Sequence, residues 1–496
     1  MLSLKVDPTI SYPAADDFYS PDERYPEYRY QNVSAHCNPV YKAVRECFIQ
    51  AGLDKENIGT SSWNPLGDFI KPEKRVFVLC NFANERRSDE LLEDFYSRCT
   101  HGSILRAILD YVLIAAGDSQ LIRFGNAPVQ YCHWEDVLRD TGAQTVIDFY
   151  KANNIEVKAT DLRLFVKDAT YLGAIKSVEW RDESDGVSVQ LGEESLFTEL
   201  DREPIHRYRV MNYNPARTEK YHGSGNHTYV INRQILEADV VLSVPKFKTH
   251  EKVGISCGLK GFVGTTGYKD ALPHHRYGSP KNCGDEYPSD KFGVLRLDSA
   301  VHEIVQQIPP DTPWGSFLRV AYKISHWLTR HVSPINEGAW WGNNTAWRMV
   351  HDLAKIVTYA SSSGDMKKIP SRKHLVFIDG IFGGEGEGPA YCTAVRCGYL
   401  LFSDNLVLAD YINAFMMGFD PHKIPLISKA FEMMDYPLLT TGQSQEEIVY
   451  NDHPLTLAEL NSITTYQFEP PVGWKEKLDI AESAKLPTDQ TKGMKG

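Results

Sequence analysis

Short apolar runs alternate with helix-like patterns through the middle of this chain. The runs with the length and composition of buried strands are 75–79, 121–124, 155–158, 238–244, 374–378 and 399–402. Apolar residues at helical spacing predict helices at 104–113, 146–151 and 406–417. Because strands and helices alternate, the sequence predicts an α/β fold class with a mostly parallel sheet and flanking helices.

The ends of the chain differ from this middle region. Residues 1–70 are rich in Pro, Tyr and Asp and have no sustained period, which predicts an irregular N-terminal extension that wraps the surface. Residues 71–435 form the predicted α/β core, interrupted near 292–358 by a helical insertion. Residues 436–496 are expected to form an irregular C-terminal extension that ends in a frayed tail.

One segment of the insertion, residues 314–332, mixes aromatic and aliphatic residues with Arg319, Lys323 and Arg330. Such a segment could lie on a membrane surface as a basic amphipathic helix. A stripe of this kind is more often the packed face of a core helix, and that interpretation is favoured.

Polar residues follow the predicted strands, where an open α/β sheet places its ligands. They are Asn81, Asn126, Asp161, Lys246, Asp379 and Asp404. We expect them to share one crevice at the carboxyl ends of the strands. The alternative is that they only solvate ordinary loops.

The composition narrows the class of protein. The chain has 496 residues, 42% of them hydrophobic, and a net charge of −12, which disfavours a nucleic-acid partner. Its nine cysteines include no C-x-x-C pair, so no iron–sulfur cluster is expected. The sequence shows neither a secretory signal nor an apolar stretch of transmembrane length, which predicts a cytoplasmic protein. It predicts no particular oligomeric state.

The segment 245–276 reverses the charge of the chain. It contains the cations Lys246, Lys248, Lys252, Lys260, Lys269 and Arg276, against only Glu251 and Asp270. Such a local excess predicts an anionic small-molecule ligand, either a phosphate or a carboxylate. The residues predicted to bind the substrate are Lys246, Lys248, His250, Lys260, Arg276, Asn81 and Asn126. The alternative is a glycine-faced helix with solvated lysines; no Walker A or dinucleotide motif is present.

Two adjacent histidines, His274 and His275, are the first catalytic candidates. Either could act as a general acid or base near neutral pH, or as a metal ligand. Neighbouring positive charge favours the neutral imidazole, which suits a base. The alternative is that both are structural.

The acidic segment 379–389 supplies the second set of candidates. Asp379, Glu385 and Glu387 lie in a predicted glycine-rich loop after a strand and could bind Mg²⁺. Asp379 and Glu385 could instead serve as a catalytic acid–base pair. The alternative is a flexible acidic loop.

A third segment, 340–348, reads WWGNNTAWR. Its tryptophans could stack on a ring or sugar, and its asparagines could hydrogen-bond the same ligand. Asn343 could equally cap the helix that follows.

Several motifs, in order, resemble the family called domain of unknown function 362, from about Arg75 to Pro425. They are THGSILRAILDYVL, GNAPVQ, DLR, VPKFKTHEKVGISCGLKGFVG, LPHHR, WWGNNTAWR and DGIFGGEGEGP. The chain is most similar to the branch found among bacterial polysaccharide-biosynthesis genes, without the ferredoxin module of other branches. The residues that match the shared motifs are Lys246, Lys248, His250, Lys260, His274, His275, Asp379, Glu385 and Asp410.

Two departures from the family pattern bear on activity. Leu79 stands where the family has a lysine, and Asn126 stands where it has an aspartate. The paired loss is explained if the two charges form an ion pair or share a ligand in relatives, since losing both avoids an unpaired buried charge.

Three functions are therefore open. The first is an enzyme acting on an anionic small molecule, in polysaccharide or nucleotide-sugar metabolism. The second is a cofactor-dependent redox or isomerase enzyme. The third is a catalytically weakened ligand-binding or scaffold protein.

Overall fold

The structure is a computed structural model that describes residues 1–169, 175–201, 207–210, 213–223, 225–289, 293–308, 312–330, 335–438, 448–456 and 459–478. Its strands are β1 Leu2–Val6, β2 Val76–Cys80, β3 Ile122–Asn126, β4 Lys158–Asp161, β5 Phe165–Ala169, β6 Ile175–Trp180, β7 Gly186–Gln190, β8 Tyr208–Arg209, β9 Thr228–Asn232, β10 Val240–Val244, β11 Lys246–His250, β12 Gly254–Ile255, β13 His275–Arg276, β14 Lys373–Glu387, β15 Tyr391–Ser403, β16 Ile448–Tyr450 and β17 His453–Leu455.

The α-helices lie on and around these strands. They are α1 Pro39–Gln50, α2 Leu92–Arg98, α3 Gly102–Ala116, α4 Trp134–Asp140, α5 Ala143–Ala152, α6 Pro215–His222, α7 Arg233–Leu236, α8 Gly293–Gln307, α9 Pro313–Arg330, α10 Ala346–Tyr359, α11 Leu406–Met416 and α12 Pro425–Ser428. Two apolar clusters pack on the main sheet, and side chains that alternate along β10 divide between them.

A mixed sheet of eleven strands organises the fold, in the order β17-β16-β1-β15-β14-β10-β2-β3-β4, with β11 paired to β14 and β12 to β11. The central strands β14, β10, β2, β3 and β4 pair in parallel. The hairpin partner β15 is antiparallel to β14, and β1 is antiparallel to β15. The predicted α/β class is therefore confirmed.

The local predictions inside the core hold for most elements. All five residues of β10 are buried, as the apolar run 238–244 predicts. The predicted strands in β2, β3, β14 and β15 and the predicted helices in α3, α5 and α11 are confirmed. The strand predicted at 155–158 is wrong, because β4 is Lys158–Asp161 and its residues pair with Arg123–Asn126 of β3.

The acidic segment 379–387 is strand, and its prediction as a loop is wrong. β14 continues to Glu387, pairing with β15 as far as Tyr391. Glycines here allow close packing rather than flexibility: a Cβ atom on Gly383 would lie 2.6 Å from the Phe468 ring, and one on Gly384 would lie 2.9 Å from Cβ of Cys392.

The N-terminal segment is more regular than its composition suggests. β1 enters the main sheet between β15 and β16, with Leu2 and Leu4 buried. Helix α1 begins after Asn38, whose side chain accepts a hydrogen bond from the Tyr41 N–H. The prediction of an irregular wrap is therefore wrong for these two elements, since a five-residue strand is too short to stand out as a period.

The C-terminal region also contributes ordered structure. β16 and β17 extend the sheet, and Trp474 is buried. The predicted frayed tail lies outside the described residues.

The insertion near 292–358 contains α8, α9 and α10. Helix α10 is buried along its whole length. The aromatic stripe of α9 is not packed as predicted: Trp314, Phe317 and Trp327 are each about three-fifths exposed, at 63%, 59% and 61%. The helix packs through its other side instead, where Arg319 and Tyr322 are buried.

One stretch, 92–116, is long and apolar enough to cross a membrane by length and composition. It comprises α2 and α3, and 94% of its most apolar window is buried within the protein. Since a buried core helix passes the same test, the stretch is weak evidence for a membrane span.

Candidate functional site

The carboxyl ends of the parallel strands bring most of the predicted polar residues to one edge. Asn126 pairs with Asp161 across β3 and β4, and Lys246 pairs with Asp379 across β11 and β14. Asp404 lies at the opposite edge, where it accepts a hydrogen bond from the N-terminal amine at 2.8 Å. Because β15 is antiparallel to β14, its carboxyl end points the other way, and the inclusion of Asp404 is wrong.

Lys246 and Asp379 form a buried ion pair of 2.9 Å, with both side chains 0% exposed. The Lys246 ammonium also donates to the Tyr12 hydroxyl at 2.7 Å, and Tyr12 in turn donates to Asp379. The second carboxylate oxygen of Asp379 accepts the His101 N–H at 3.1 Å. Asp379 is therefore fully engaged, and this pair holds β11 against β14 rather than presenting a free acid.

Lys248 is buried, and it has no carboxylate partner among the residues that the structure describes. Its ammonium donates to Oδ1 of Asn81 and to the carbonyl of Arg98, both at 2.8 Å. Burial lowers the pKa of Lys248 to about 8. The predicted residues Asn81 and Lys248 are thus in direct contact.

Lys260 is the least compensated cation of the segment. It is only 8% exposed, and its ammonium has no hydrogen bond or ion pair with any part of the chain that the structure describes. Burial, reinforced by Lys248 and Lys252, lowers the pKa of Lys260 to about 7. Its neighbours Gly261 and Val263 are partly exposed, so solvent reaches this side of the segment.

His250 and His274 are electrostatic neighbours of Lys260 with complementary tautomers. Nδ1 of His274 lies 2.7 Å from the Leu272 carbonyl, which places the proton on Nδ1 and a lone pair on Nε2. Nδ1 of His250 accepts the Lys252 N–H at 3.1 Å, which places the proton of the neutral ring on Nε2. Burial, then Lys260, holds the pKa of both imidazoles well below the usual range.

Lys252 and Lys269 complete the cationic group. The Lys252 ammonium donates to the Glu337 carbonyl and lies 3.8 Å from Glu251. The Lys269 ammonium donates to the Val263 carbonyl at 2.8 Å. Burial, then Lys260, lowers the pKa of Lys269 to about 7. We call Lys248, Lys252, Lys260 and Lys269, with His250 and His274, the lysine cluster.

The structure separates Arg276 and His275 from His274. Arg276 is ion-paired with Asp285 at 3.6 Å, and Asp285 also accepts the Arg276 N–H. His275 lines a small polar cavity with Arg209 and His302, and its Nδ1 has no hydrogen-bond partner among the described residues. After burial, the strongest charge effect on the pKa of His275 comes from Lys252 and then Arg209, whereas that on the pKa of His274 comes from Lys260, so we group only His274 with the lysine cluster.

Asn126 lies beside Leu79, the other position that the family resemblance singles out. A Cβ atom on Gly264 would lie 3.6 Å from Nδ2 of Asn126 and 3.7 Å from Cδ1 of Leu79. Nδ2 of Asn126 donates to the Phe82 carbonyl, while its Oδ1 is buried without a hydrogen-bond partner in the described chain. Leu79 and Asn126 therefore lie on either side of Gly264.

The carboxylates proposed for Mg²⁺ bind separate backbone groups. Glu385 accepts the Glu469 N–H at 2.7 Å, and Glu387 accepts the Val472 N–H at 2.6 Å. Within the described ranges no group of three or more His, Cys, Asp or Glu side chains gathers as metal ligands would. We therefore assign no metal to Asp379, Glu385 and Glu387.

The tryptophan segment and Asp410 have structural roles. Oδ1 of Asn343 accepts the N–H groups of Thr345 and Ala346 at the start of α10, as the capping interpretation predicts. Asp410 accepts the N–H groups of Gly258 and Leu259 at 2.6 and 2.9 Å and so positions the turn that carries Lys260. Burial raises the pKa of Asp410 to about 6.

Sequence reasoning did not select Tyr12, Arg98 or His101 as site residues. The ring of Tyr12 stacks on His101 with centroids 4.0 Å apart, and the Arg98 carbonyl holds Lys248. Of these three residues, only His101 could have been selected from the sequence, because it lies in the motif THGSILRAILDYVL. Tyr12 comes from a segment more than two hundred residues away, which no local pattern connects to Lys246.

A model of one protein family, described as domain of unknown function (DUF362), matches residues 183–414. The matched segment runs from β7 into α11 and contains the whole lysine cluster. This supports the family resemblance for that part of the chain. No curated protein matches the sequence.

Proposed function

We propose that this protein binds an anionic small molecule, phosphorylated or carboxylated, at the lysine cluster and acts on it as an enzyme. The observation that carries the proposal is Lys260, a buried ammonium without a polar partner among the described residues. A charge that is largely removed from water without a compensating partner is costly, and a bound anion would supply that compensation.

The surrounding charges favour the same ligand class. Among the described residues Lys248 has amide and carbonyl partners rather than carboxylates, and the Lys252 ammonium lies 3.8 Å from the Glu251 carboxylate. The depressed pKa values of Lys248 and Lys260, about 8 and about 7, reflect burial and an excess of neighbouring positive charge. An anion between these groups would form charge-assisted hydrogen bonds.

The two histidines suit proton transfer on the bound molecule. Nε2 of His274 carries a lone pair and can accept a proton, while Nε2–H of His250 can donate a hydrogen bond. Because both pKa values lie well below the usual range, both rings are neutral near pH 7. We assign His274 as the base and His250 as a group that orients the substrate.

The family resemblance supports a narrower proposal for the substrate. Members of the similar branch occur among polysaccharide-biosynthesis genes, so we propose a sugar phosphate or nucleotide sugar in the cytoplasm. Untargeted mass spectrometry of small molecules that copurify with the protein from its native host would identify the compound.

Isothermal titration against inorganic phosphate, sugar phosphates, nucleotides and dicarboxylates tests the anion site. We expect the Lys260→Met variant to weaken binding at least about tenfold, since a charge-assisted hydrogen bond contributes about 1.5–3 kcal/mol. The matched control is Lys151→Met, which removes an exposed lysine of α5. Absence of binding by every anion, or equal binding by the Lys260→Met variant, would refute the site.

A second candidate, a catalytically weakened binding protein, rests on Leu79 and Asn126. Both flank Gly264, and the buried Oδ1 of Asn126 has no hydrogen-bond partner in the described residues. A site that binds anions but turns none of them over, and that gains turnover with Leu79→Lys and Asn126→Asp together, would favour this candidate.

A further inference from the structure

We propose that the helical hairpin α8–α9 docks the protein on an anionic lipid surface. The hairpin face is formed by Leu297, Val301 and Ile304 of α8 with Trp314, Phe317, Ile324 and Trp327 of α9. This inference does not depend on the function of the lysine cluster, and its test uses no small-molecule ligand.

The exposure of these side chains is far above that of ordinary core residues. On α8, Leu297 and Ile304 are 65% and 63% exposed, and Val301 is 37% exposed. On α9, Ile324 is 55% exposed, and the three aromatic residues are each about three-fifths exposed. Their spacing places each set along one side of its helix. Apolar side chains exposed to this extent are typical of an interaction site.

The inward side of the hairpin is already occupied. Leu295, Val305 and Tyr322 are buried, and His326 pairs with Asp298 at 2.7 Å between the two helices. Glu303 reaches Arg209 of β8 at 2.9 Å. The exposed apolar face is therefore the side of the hairpin that does not pack against the rest of the protein.

The charges on the hairpin favour an anionic partner. Helix α9 contains no acidic residue, although the whole chain has a net charge of −12. Its Lys323 is exposed, whereas Arg319 is buried on the inward side. On α8, Asp298 is buried and hydrogen-bonded to His326, and Glu303 forms an ion pair with Arg209. Arg296 and Lys323 are exposed, and neither forms a hydrogen bond or ion pair within the described ranges. The uncompensated charge beside the apolar face is thus basic.

A lipid surface explains the combination of an apolar face and adjacent basic charge better than a second copy of the chain does. An apolar face with tryptophan and a Lys/Arg-bearing flank is the composition of helices that lie in a membrane interface. Trp314 and Trp327 lie near the two ends of α9, where an indole can sit at the headgroup level. In a twofold dimer the same surface meets itself, so the basic flanks would face each other and repel.

The hairpin is also linked to the lysine cluster. Glu303 binds Arg209, and β8 pairs with β13, which begins at His275, next to His274. These contacts connect the hairpin to the strand that follows His274.

Vesicle flotation tests the proposal with the full-length protein. We expect flotation with vesicles of phosphatidylcholine containing one third phosphatidylglycerol, and weaker flotation with pure phosphatidylcholine. Trp314→Ser combined with Trp327→Ser should reduce the bound fraction at least about tenfold, because interfacial binding scales with buried apolar area. Arg296→Glu combined with Lys323→Glu should remove the preference for phosphatidylglycerol.

The matched control is Trp180→Ser, which removes a tryptophan that is 47% exposed on β6, and circular dichroism checks the fold of each variant. Failure of the wild-type protein to float with either lipid would overturn the proposal. Equal flotation of the double tryptophan variant would do the same. A concentration-dependent dimer that this variant abolishes, without flotation of the wild-type protein, would assign the face to a second copy instead.

Discussion

Lys246 of β11 and Asp379 of β14 lie opposite each other in the sheet register and join their side chains at 2.9 Å, both fully buried. Lys246 lies just after β10 in the chain, and Asp379 lies where β14 extends past the end of the parallel strands. It therefore fixes the position of the strand that carries Lys248 and His250.

Removing one partner of this pair should be strongly destabilising. We expect Asp379→Ala to lower the free energy of unfolding by about 3–5 kcal/mol, because it leaves an uncompensated buried ammonium. Combining it with Lys246→Met should recover part of that loss, although the Tyr12 hydroxyl and the His101 N–H still lose their acceptor. Urea denaturation of the single and double variants measures both effects. The exposed pair Lys429–Glu432 provides the control, since Glu432→Ala should cost no more than about 1 kcal/mol.

Anion binding should be accompanied by proton uptake. In the free protein the pKa of Lys260 is about 7, so at pH 8 its amine is mostly neutral. A bound anion favours the ammonium and raises this pKa, so the complex takes up about 1 proton at that pH. Affinity should then be greatest below pH 7 and fall as the pH rises through the pKa of the bound state.

Titration calorimetry at pH 8 in Tris and in HEPES measures this uptake through the difference in observed enthalpy. Lys260→Met should remove most of the buffer dependence, whereas Lys151→Met should leave it unchanged. Identical enthalpies in both buffers for the wild-type protein would contradict the assignment of Lys260 as the coupled group.

Leu79 and Asn126 should behave as a coupled pair. Leu79→Lys alone places an unpaired charge beside Asn126 and should destabilise the protein. Adding Asn126→Asp should offset that cost, with a favourable coupling energy of about 1–3 kcal/mol in a double-mutant cycle. A Cβ atom placed on Gly264 would lie within 4 Å of both side chains. We therefore expect the side chains at positions 79 and 126 to be in contact. Additive effects on urea stability would show that the two positions act separately.

Glu385 and Glu387 should matter for stability rather than for ligand binding. Each accepts one backbone N–H from the segment that contains Trp474, so Glu385→Ala and Glu387→Ala should each cost about 1 kcal/mol and speed proteolysis of residues 459–478. Anion affinity measured with and without Mg²⁺ should not change. A loss of affinity that depends on Mg²⁺ would restore the metal interpretation of these carboxylates.

The local pattern of apolar residues was sufficient to predict the strands at the centre of the sheet. The apolar runs in β2, β3, β10, β14 and β15 identify strands without help from the rest of the chain, because each buries both faces. The local sequence also revealed the cationic segment, because its positive charges contrast with the net negative charge of the chain. It also predicted that Asn81, Lys246 and Asp379 follow strands. The structure brings the three residues to one edge, although Asp379 lies within β14.

Which charges are buried, and which meet, was decided by contacts between distant parts of the chain. Local sequence cannot distinguish the paired Lys246 from the unpaired Lys260, since the difference lies in Asp379 and Tyr12. It cannot show that His274 and His275 face different surroundings, because that depends on α8 and on the turn carrying Lys260. The free energy of a charge depends on burial and on nearby partners, and only the folded chain determines both.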